Sequence, residues 1–342
     1  MELGLYTFVE NTAIPSTGET RSNTQRIQHL LEEIKLADEL GLDVFAIGEH
    51  HRQEYVASSP TTLLAAAASI TKNITLSTAV TVLGSEDPVR VFQQFATLDL
   101  ISQGRAEIMV GRGSFVESFP LFGYDLQNYE ELFEEKLQLL IQLNEEVKTS
   151  WEGKYRPNIN DLGIYPRPHQ ATLPIWRAVG GTPKSAYVAG ALGLPMAIAI
   201  IGRYPKQFKQ MAEIHKKGAA DYGKPPQKLS INSHGYIADT YEEALETSFP
   251  AFKIQMDSIG RERGWPPMSK AQFEASLALE GANLVGSPQQ VIDKIMYQYE
   301  IFKHDRFLLQ MSVGSIEHCT LMRSIELFAT EVAPVIRKET RS

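Results

Sequence analysis

Three short stretches decide the fold: Phe45-Ala-Ile-Gly-Glu-His-His51, Met109-Val-Gly-Arg-Gly113 and Ala178-Val-Gly-Gly-Thr182. Each opens on an apolar run short enough for one buried strand and ends in glycines or polar groups. Strand ends that carry polar chemistry, separated by helices, are the pattern of a barrel whose rim holds a site. Working outward, strands are expected at Leu3–Phe8, Val44–Ile47, Ile74–Val82, Ala106–Val110, Pro174–Val179, Pro195–Ile200, Leu229–Ile237 and Arg306–Met311. Between the first two, Ser22–Leu40 sets Ile27, Leu30, Leu31, Ile34, Ala37 and Leu40 at helical spacing and stops at Gly41. Further helices are expected at Pro60–Ile70, Pro88–Ile101, Asn128–Val147, Pro183–Leu192, Pro205–Tyr222, Thr240–Arg263 and Pro288–Phe302, with Thr320–Val335 closing the chain.

The fold class is therefore α/β, a (β/α)8 TIM barrel with insertions at the C-terminal face. A single domain is expected over residues 1–342, with insertions near 113–125, 151–173 and 264–286 where the periodicity fails. The middle one reads as a hairpin or a lid over the barrel mouth.

With 342 residues, 43% of them hydrophobic, the chain can bury a large core. A net charge of −8 without any basic cluster argues against nucleic acid as a partner. Cys319 is the single cysteine, which excludes an intrachain disulfide and a cysteine-rich zinc site and fits a reducing, cytoplasmic setting. Met1–Phe8 reads as a strand, not a signal peptide. The longest apolar run, Gly193–Ile201, is about half a membrane span and contains Pro195, so no membrane association is expected.

His50 and His51 fall just past the second strand, where an imidazole can donate to a developing anion or shuttle a proton. One of them can equally cap a neighbouring helix while the other faces water. Glu49 and Glu54 flank the pair, and without a CxxC or HxxxH pattern nearby no metal site is expected. Gly111-Arg112-Gly113 lets a planar ligand approach the backbone beside a guanidinium, or simply makes a tight loop with a structural ion pair. Gly180-Gly181-Thr182-Pro183-Lys184-Ser185 offers first-turn N–H groups, two hydroxyls and a helix dipole to an anion. Ordinary capping by Thr182 with Pro183 in the first turn accounts for the same residues. Ser77-Thr-Ala-Val80 ends the third strand with small groups able to face a flat ring. Tyr6, Phe8, Phe115, Tyr124 and Trp176 are candidates for an aromatic pocket or for core; Met196, Met256 and Met311 read as packing.

Taken together, the chain resembles the bacterial luciferase-like, flavin-dependent monooxygenases. Besides the stretches above, the resemblance rests on Leu76-Ser-Thr-Ala-Val-Thr-Val82, Asp87-Pro-Val-Arg-Val91, Leu98-Asp-Leu-Ile-Ser-Gln-Gly-Arg105, Pro174-Ile-Trp-Arg-Ala-Val-Gly-Gly-Thr182 and Leu284-Val-Gly-Ser-Pro288. It implies a TIM barrel that binds reduced FMN at its C-terminal face, with His50 catalytic and His51 its neighbour. It puts the family's non-prolyl cis peptide at Ala79–Val80. It assigns the cofactor to Ala79, Val80, Gly111, Arg112, Gly113, Gly180, Gly181, Thr182 and Ser185, with Arg112 as the basic partner of the phosphate. Glycine replaces the reactive cysteine of the luciferase alpha subunit at position 111. The implied activity is an FMNH2-using monooxygenase that inserts one oxygen atom from O2 into a small organic substrate. The alternatives are F420-dependent hydride transfer and a non-catalytic flavin-binding protein. The implied partners are a separate NAD(P)H flavin reductase and a second copy of the chain in a homodimer.

Overall fold

The computed structural model describes residues 1–341. Its strands are β1 (Glu2–Thr7), β2 (Val44–Ile47), β3 (Thr75–Thr78), β4 (Thr81–Val82), β5 (Ile108–Gly111), β6 (Lys148–Trp151), β7 (Ile159–Gly163), β8 (Ile175–Val179), β9 (Met196–Ile200), β10 (Leu229–Ile237), β11 (Leu284–Gly286) and β12 (Arg306–Met311). The helices are α1 (Asn23–Glu39), α2 (Pro60–Ala68), α3 (Pro88–Ser102), α4 (Ser118–Leu121), α5 (Tyr129–Glu145), α6 (Pro183–Ala191), α7 (Lys209–Asp221), α8 (Tyr241–Arg263), α9 (Lys270–Leu277), α10 (Pro288–Phe302), α11 (His318–Leu327) and α12 (Ala333–Glu339).

Parallel pairing runs from β3 through β2, β1, β12, β10, β9 and β8 to β5 and β4. The ring closes where the Leu76 N–H donates to the Arg105 carbonyl at 2.8 Å and the Glu107 N–H donates to the Leu76 carbonyl at 3.1 Å. β3 and β4 are one strand interrupted at Ala79–Val80, whose peptide is cis. The eight expected strands thus form the wall of an α/β barrel. β11 is an addition that pairs with the last residues of β10, Gly235–Ile237.

Alternation sorts the side chains into two cores. Outward residues pack under the helices. Inward residues from around the ring, among them Tyr6, Val44, Met109, Trp176, Ala197 and Leu308, form a second cluster that only the cylinder's interior can hold. At its N-terminal floor Arg306 is buried between Glu107 and Glu2; its Nη2 donates to Glu107 at 3.0 Å and its Nε to Glu2 at 2.7 Å. The Trp176 indole N–H also donates to Glu107, at 3.1 Å.

Helix starts follow local chemistry. Asp87 accepts from the N–H groups of Val89 and Arg90 with Pro88 at the first turn of α3, and Thr240 caps α8 through Glu243. Gly41 has φ +78° and ends α1, as its place in the sequence predicts.

Three segments differ from the reading of the sequence. The hairpin of the middle insertion begins at Lys148 and lies on the barrel's flank, not over its mouth. β7 pairs with β6, the Gln93 amide donates to the Tyr165 carbonyl at 2.9 Å, and Arg167 donates to Leu143 and Asn144 at the end of α5. The reason is connectivity: α5 runs back to the floor of the barrel, so the chain that follows must climb the outside. Only the hairpin's tip reaches the C-terminal rim, where Arg156 meets Asp87 at 3.1 Å. The third insertion contains α9 and β11. The closing helix spans His318–Glu339 and passes a π-helical turn, Phe328–Val332, just before Pro334. A wider turn there accommodates a residue that has no N–H to donate.

Candidate active site

β1, β2, β3, β5 and β8 all deliver their C-terminal ends to one rim. Room inside that rim is unevenly distributed. A Cβ on Gly48 would lie 2.1 Å from the Phe8 ring, and one on Gly111 would lie 2.8 Å from Val80. Phe8 and Val80 therefore fill the space that these glycines leave. On β8 and β9 alternation turns Ala178, Gly180 and Ala199 inward, following Trp176 and Ala197. Ala178 and Ala199 are partly exposed despite facing inward, and a Cβ on Gly180 would meet nothing within 4 Å. An opening is thus floored by small groups on β8 and β9 and walled by Phe8 and Val80.

His50 and His51 point into different surroundings, as neighbours in extended chain must. His50 is buried, its ring 4.5 Å from those of Phe8 and Tyr55 and 4.9 Å, edge-on, from Phe115. Burial, with help from the charges of His51 and Arg52, pushes its pKa down to about 3, so it is neutral at physiological pH. No carboxylate or carbonyl of the described residues holds its ring nitrogens. His51 is turned instead to Glu49, with 2.8 Å between Nε2 and Oε1, and stands edge-on to Phe122. The other oxygen of Glu49 accepts the Val82 N–H at 2.8 Å, and the Glu49 N–H donates to the Val80 carbonyl at 3.1 Å. Glu49 therefore stitches the end of β2 to the chain that follows the Ala79–Val80 peptide, while the Ile47 carbonyl accepts from the Ala79 N–H before it at 2.9 Å.

Behind this group lies Glu10, three residues past the end of β1, which the sequence reading passed over. It is buried, accepts from Thr7 at 3.2 Å and from the Gln310 amide, and its pKa is pushed up to about 7 by burial. Tyr55 was passed over too; its hydroxyl accepts from the Gln255 amide at 2.8 Å.

Arg52 ties three segments of the rim together. It donates to Glu117 at 2.7 Å, to Glu262 at 2.8 Å and to Glu54 at 3.4 Å while lying over Phe115. From the far side Arg263 lies over both Phe115 and Trp265 and donates to the Ser114 carbonyl at 3.0 Å.

At the start of α6 Gly181 has φ +111°, a conformation that suits glycine, and Thr182 is the N-cap residue although its hydroxyl caps no backbone N–H. Ser185 is buried, whereas Thr182 and Lys184 are exposed. Arg203, in the loop after β9, is exposed as well. Arg112 turns away from this corner: it pairs with Glu130 at 3.0 Å and lies over Tyr129, which donates to the Gly113 carbonyl. Of the aromatic candidates, Tyr6 and Trp176 are inner core, Phe8 and Phe115 surround His50, and Tyr124 packs over Lys136. Among the described residues no helix is long and apolar enough to cross a membrane.

Fold and site together define an α/β-barrel protein whose C-terminal strand ends carry small, partly exposed side chains beside a buried histidine. Residues 1–303 match the model of the luciferase-like monooxygenases, and the chain belongs to that family. The 4-hydroxyprotoasukamycin monooxygenase of Streptomyces nodosus subsp. asukaensis is 26% identical over 323 residues, covering 89% of this chain and 85% of its own. The monooxygenase RslO1 of Streptomyces bottropensis superposes with a TM-score of 0.86 at 25% identity, over 98% of this chain and all of its own. The oxygenating constituent of 3,6-diketocamphane monooxygenase of Pseudomonas putida, solved with FMN, shares the fold with a TM-score of 0.75 at 23% identity and 98% coverage of each chain.

Proposed function

We propose that the protein is an FMNH2-dependent monooxygenase whose flavin lies across the opening between Val80 and the β8–β9 side, with its phosphate at the start of α6. The observation that carries this reading is the uncapped α6 N-terminus beside the open Gly180, with Ala178 and Ala199 left partly exposed inside the barrel. Thr182 and Ser185 supply hydroxyls, the helix start supplies the Lys184 N–H and the dipole, and Lys184 and Arg203 supply positive charge to a phosphate. Arg112 is a poorer candidate for that role than family resemblance implies, because Glu130 already holds it.

When bound, reduced FMN supplies the electrons that activate O2. The chain's own work is to orient, to exclude water and to handle a proton. Phe8, Tyr55 and Phe115 keep water from the space in front of His50. His50, neutral and free of protein partners, donates or accepts a hydrogen bond there. His51 acts through Glu49, which fixes the end of β2 against β4.

Binding is tested by titrating FMN into the T182A/S185A double variant. Its Kd rises by about 100-fold or more, the value of two hydrogen bonds to a charged group; an unchanged Kd rejects the phosphate site. Turnover is tested by oxygen uptake with a flavin reductase that regenerates FMNH2. H50A slows uptake by about 100-fold, a usual size for a lost proton-transfer group, and an H50A protein as fast as the parent removes His50 from the chemistry. Competition by F420 at least as strong as by FMN would favour hydride transfer without oxygen.

A further inference from the structure

The opening is chemically lopsided. Its β8–β9 side carries the exposed charges of Lys184 and Arg203 and a helix start that no side chain caps, which suit a phosphate. Its opposite side, formed by the ends of β1 and β2 and the segment after β5, is aromatic: Phe8, Tyr55 and Phe115 surround His50. Apolar side chains continue outward from it, since Val116, Phe122 and Trp265 are all exposed.

The charged groups packed nearest the rings are already engaged. Arg52 is shared by Glu54, Glu117 and Glu262; Glu49 by His51 and the Val82 N–H; and Glu10 by Thr7 and Gln310. Arg263 is held by the Ser114 carbonyl and two ring faces. An anion entering here finds no free cation and meets the three carboxylates around Arg52. A cation finds both guanidinium groups already on Phe115. Either ion would leave water without a partner, which costs several kcal/mol. Among the described residues, the polar groups left facing the rings are neutral: the imidazole of His50 and the Tyr55 hydroxyl, which accepts from Gln255.

We infer that the substrate is a neutral, largely apolar ring compound carrying one hydrogen-bonding oxygen, packed against the aromatic side formed by Phe8, Tyr55 and Phe115 with that oxygen toward His50. This specifies the substrate class within the monooxygenase reading and rests on it. The rings supply flat apolar faces, and the imidazole sets the direction of the oxygen.

The test compares three probes of one size: 2-acetylnaphthalene, 2-naphthoate and 2-naphthylmethylammonium. Each is titrated calorimetrically into the full-length protein saturated with oxidised FMN, whose own binding is measured first by quenching of flavin fluorescence. The neutral ketone binds about tenfold or more tightly than either ion, the discrimination expected when an unpaired charge must be buried. F115A weakens the ketone by about fivefold or more through lost ring contact, while FMN affinity changes by less than about twofold because the phosphate corner is untouched. Binding of either ion as tight as that of the ketone overturns the inference, and so does failure of the ketone to bind. An F115A protein that binds the ketone as the parent does overturns its placement. If FMN itself does not bind, the monooxygenase reading fails first, and the two failures are told apart by the fluorescence titration.

Discussion

A single side chain at a strand end behaves according to what buries it, and His50 and Glu10 shift in opposite senses for the same reason. Burial favours the neutral form of each, which lowers the pKa of the base and raises that of the acid. His50 was legible in the sequence because a pair of histidines after an apolar run is rare enough to notice. Glu10 was not, because a lone acid past Phe8-Val9 looks like the first residue of a solvated loop. Its burial is set by residues distant in the chain: Gln310 donates to it and Tyr55 pairs with its backbone. The consequence is measurable. A carboxyl raised from 4.5 to about 7 contributes most to stability below pH 4.5, and that contribution is lost as pH rises through about 7. Glu10→Gln keeps the shape and removes the titration. Relative to the parent, E10Q therefore gains stability between pH 5 and pH 8, by on the order of 2–3 kcal/mol at the upper end. Thermal melts of both proteins across that range check it. His50, His234 and His304, lowered to about 3, 4 and 3, act the other way, losing their contribution as pH falls below 6.5. They are common to both proteins and cancel in the difference, so a pH-independent difference would mean that Glu10 is not held neutral.

At the scale of an element, the helix that presents the phosphate corner is fixed by glycines rather than by its own propensity. A Cβ on Gly190 of α6 would lie 2.0 Å from the His215 carbonyl oxygen, and one on Gly218 of α7 would lie 2.2 Å from that of Tyr187. The two backbones touch at a distance no larger residue permits. Gly190→Ala must push α6 away from α7, at a cost of about 1–3 kcal/mol, and the movement displaces Thr182 and Ser185 at its other end. G190A is thus expected to melt earlier and also to bind FMN about threefold or more weakly, in line with the misplacement of a bound group by a fraction of an ångström. Unchanged FMN affinity in a destabilised G190A would show that the corner is set locally, by Gly180-Gly181 alone. The helices themselves were plain in the sequence from apolar spacing and from Pro88, Pro183 and Pro288. α9 was legible too and was missed: Ser269 and Gln272 form a reciprocal cap, and Phe273 and Leu277 follow one turn apart on the buried face. β6, β7 and β11 had no such signal. The hairpin strands are mostly exposed and polar, and β11 is three residues that pair only because β10 overruns the barrel.

Across the whole molecule, the cylinder separates its chemistry from its stability. The mouth keeps small, partly exposed side chains and an uncapped helix; the floor keeps the buried pair Arg306–Glu107, joined by the half-buried Glu2, beside the Trp176 ring. Strand order, alternation and strand ends were all readable from residue spacing, and that is why the rim could be named before the barrel was seen. The floor could not be, since its three charged residues lie in β12, just before β5 and in β1, and they converge only when the ring closes. That convergence can be used to tell the two ends apart. Glu107→Ala leaves the Arg306 guanidinium buried with Glu2 alone and takes the partner from the Trp176 N–H, a loss of about 3–5 kcal/mol. Along β8 the floor and the mouth, at Trp176 and Gly180, are separated by about 13 Å of extended chain, a distance at which sites with no shared partner act independently. E107A is therefore expected to melt well below the parent while its FMN Kd, measured at a temperature where it is still folded, moves by less than about twofold. T182A/S185A should do the reverse, weakening FMN with little change in melting, because the two hydroxyls it removes hold no protein group in the described structure. A loss of FMN affinity in E107A that tracked its loss of stability would mean that floor and mouth shift together, and the barrel would then be a coupled element rather than a rigid frame for the rim.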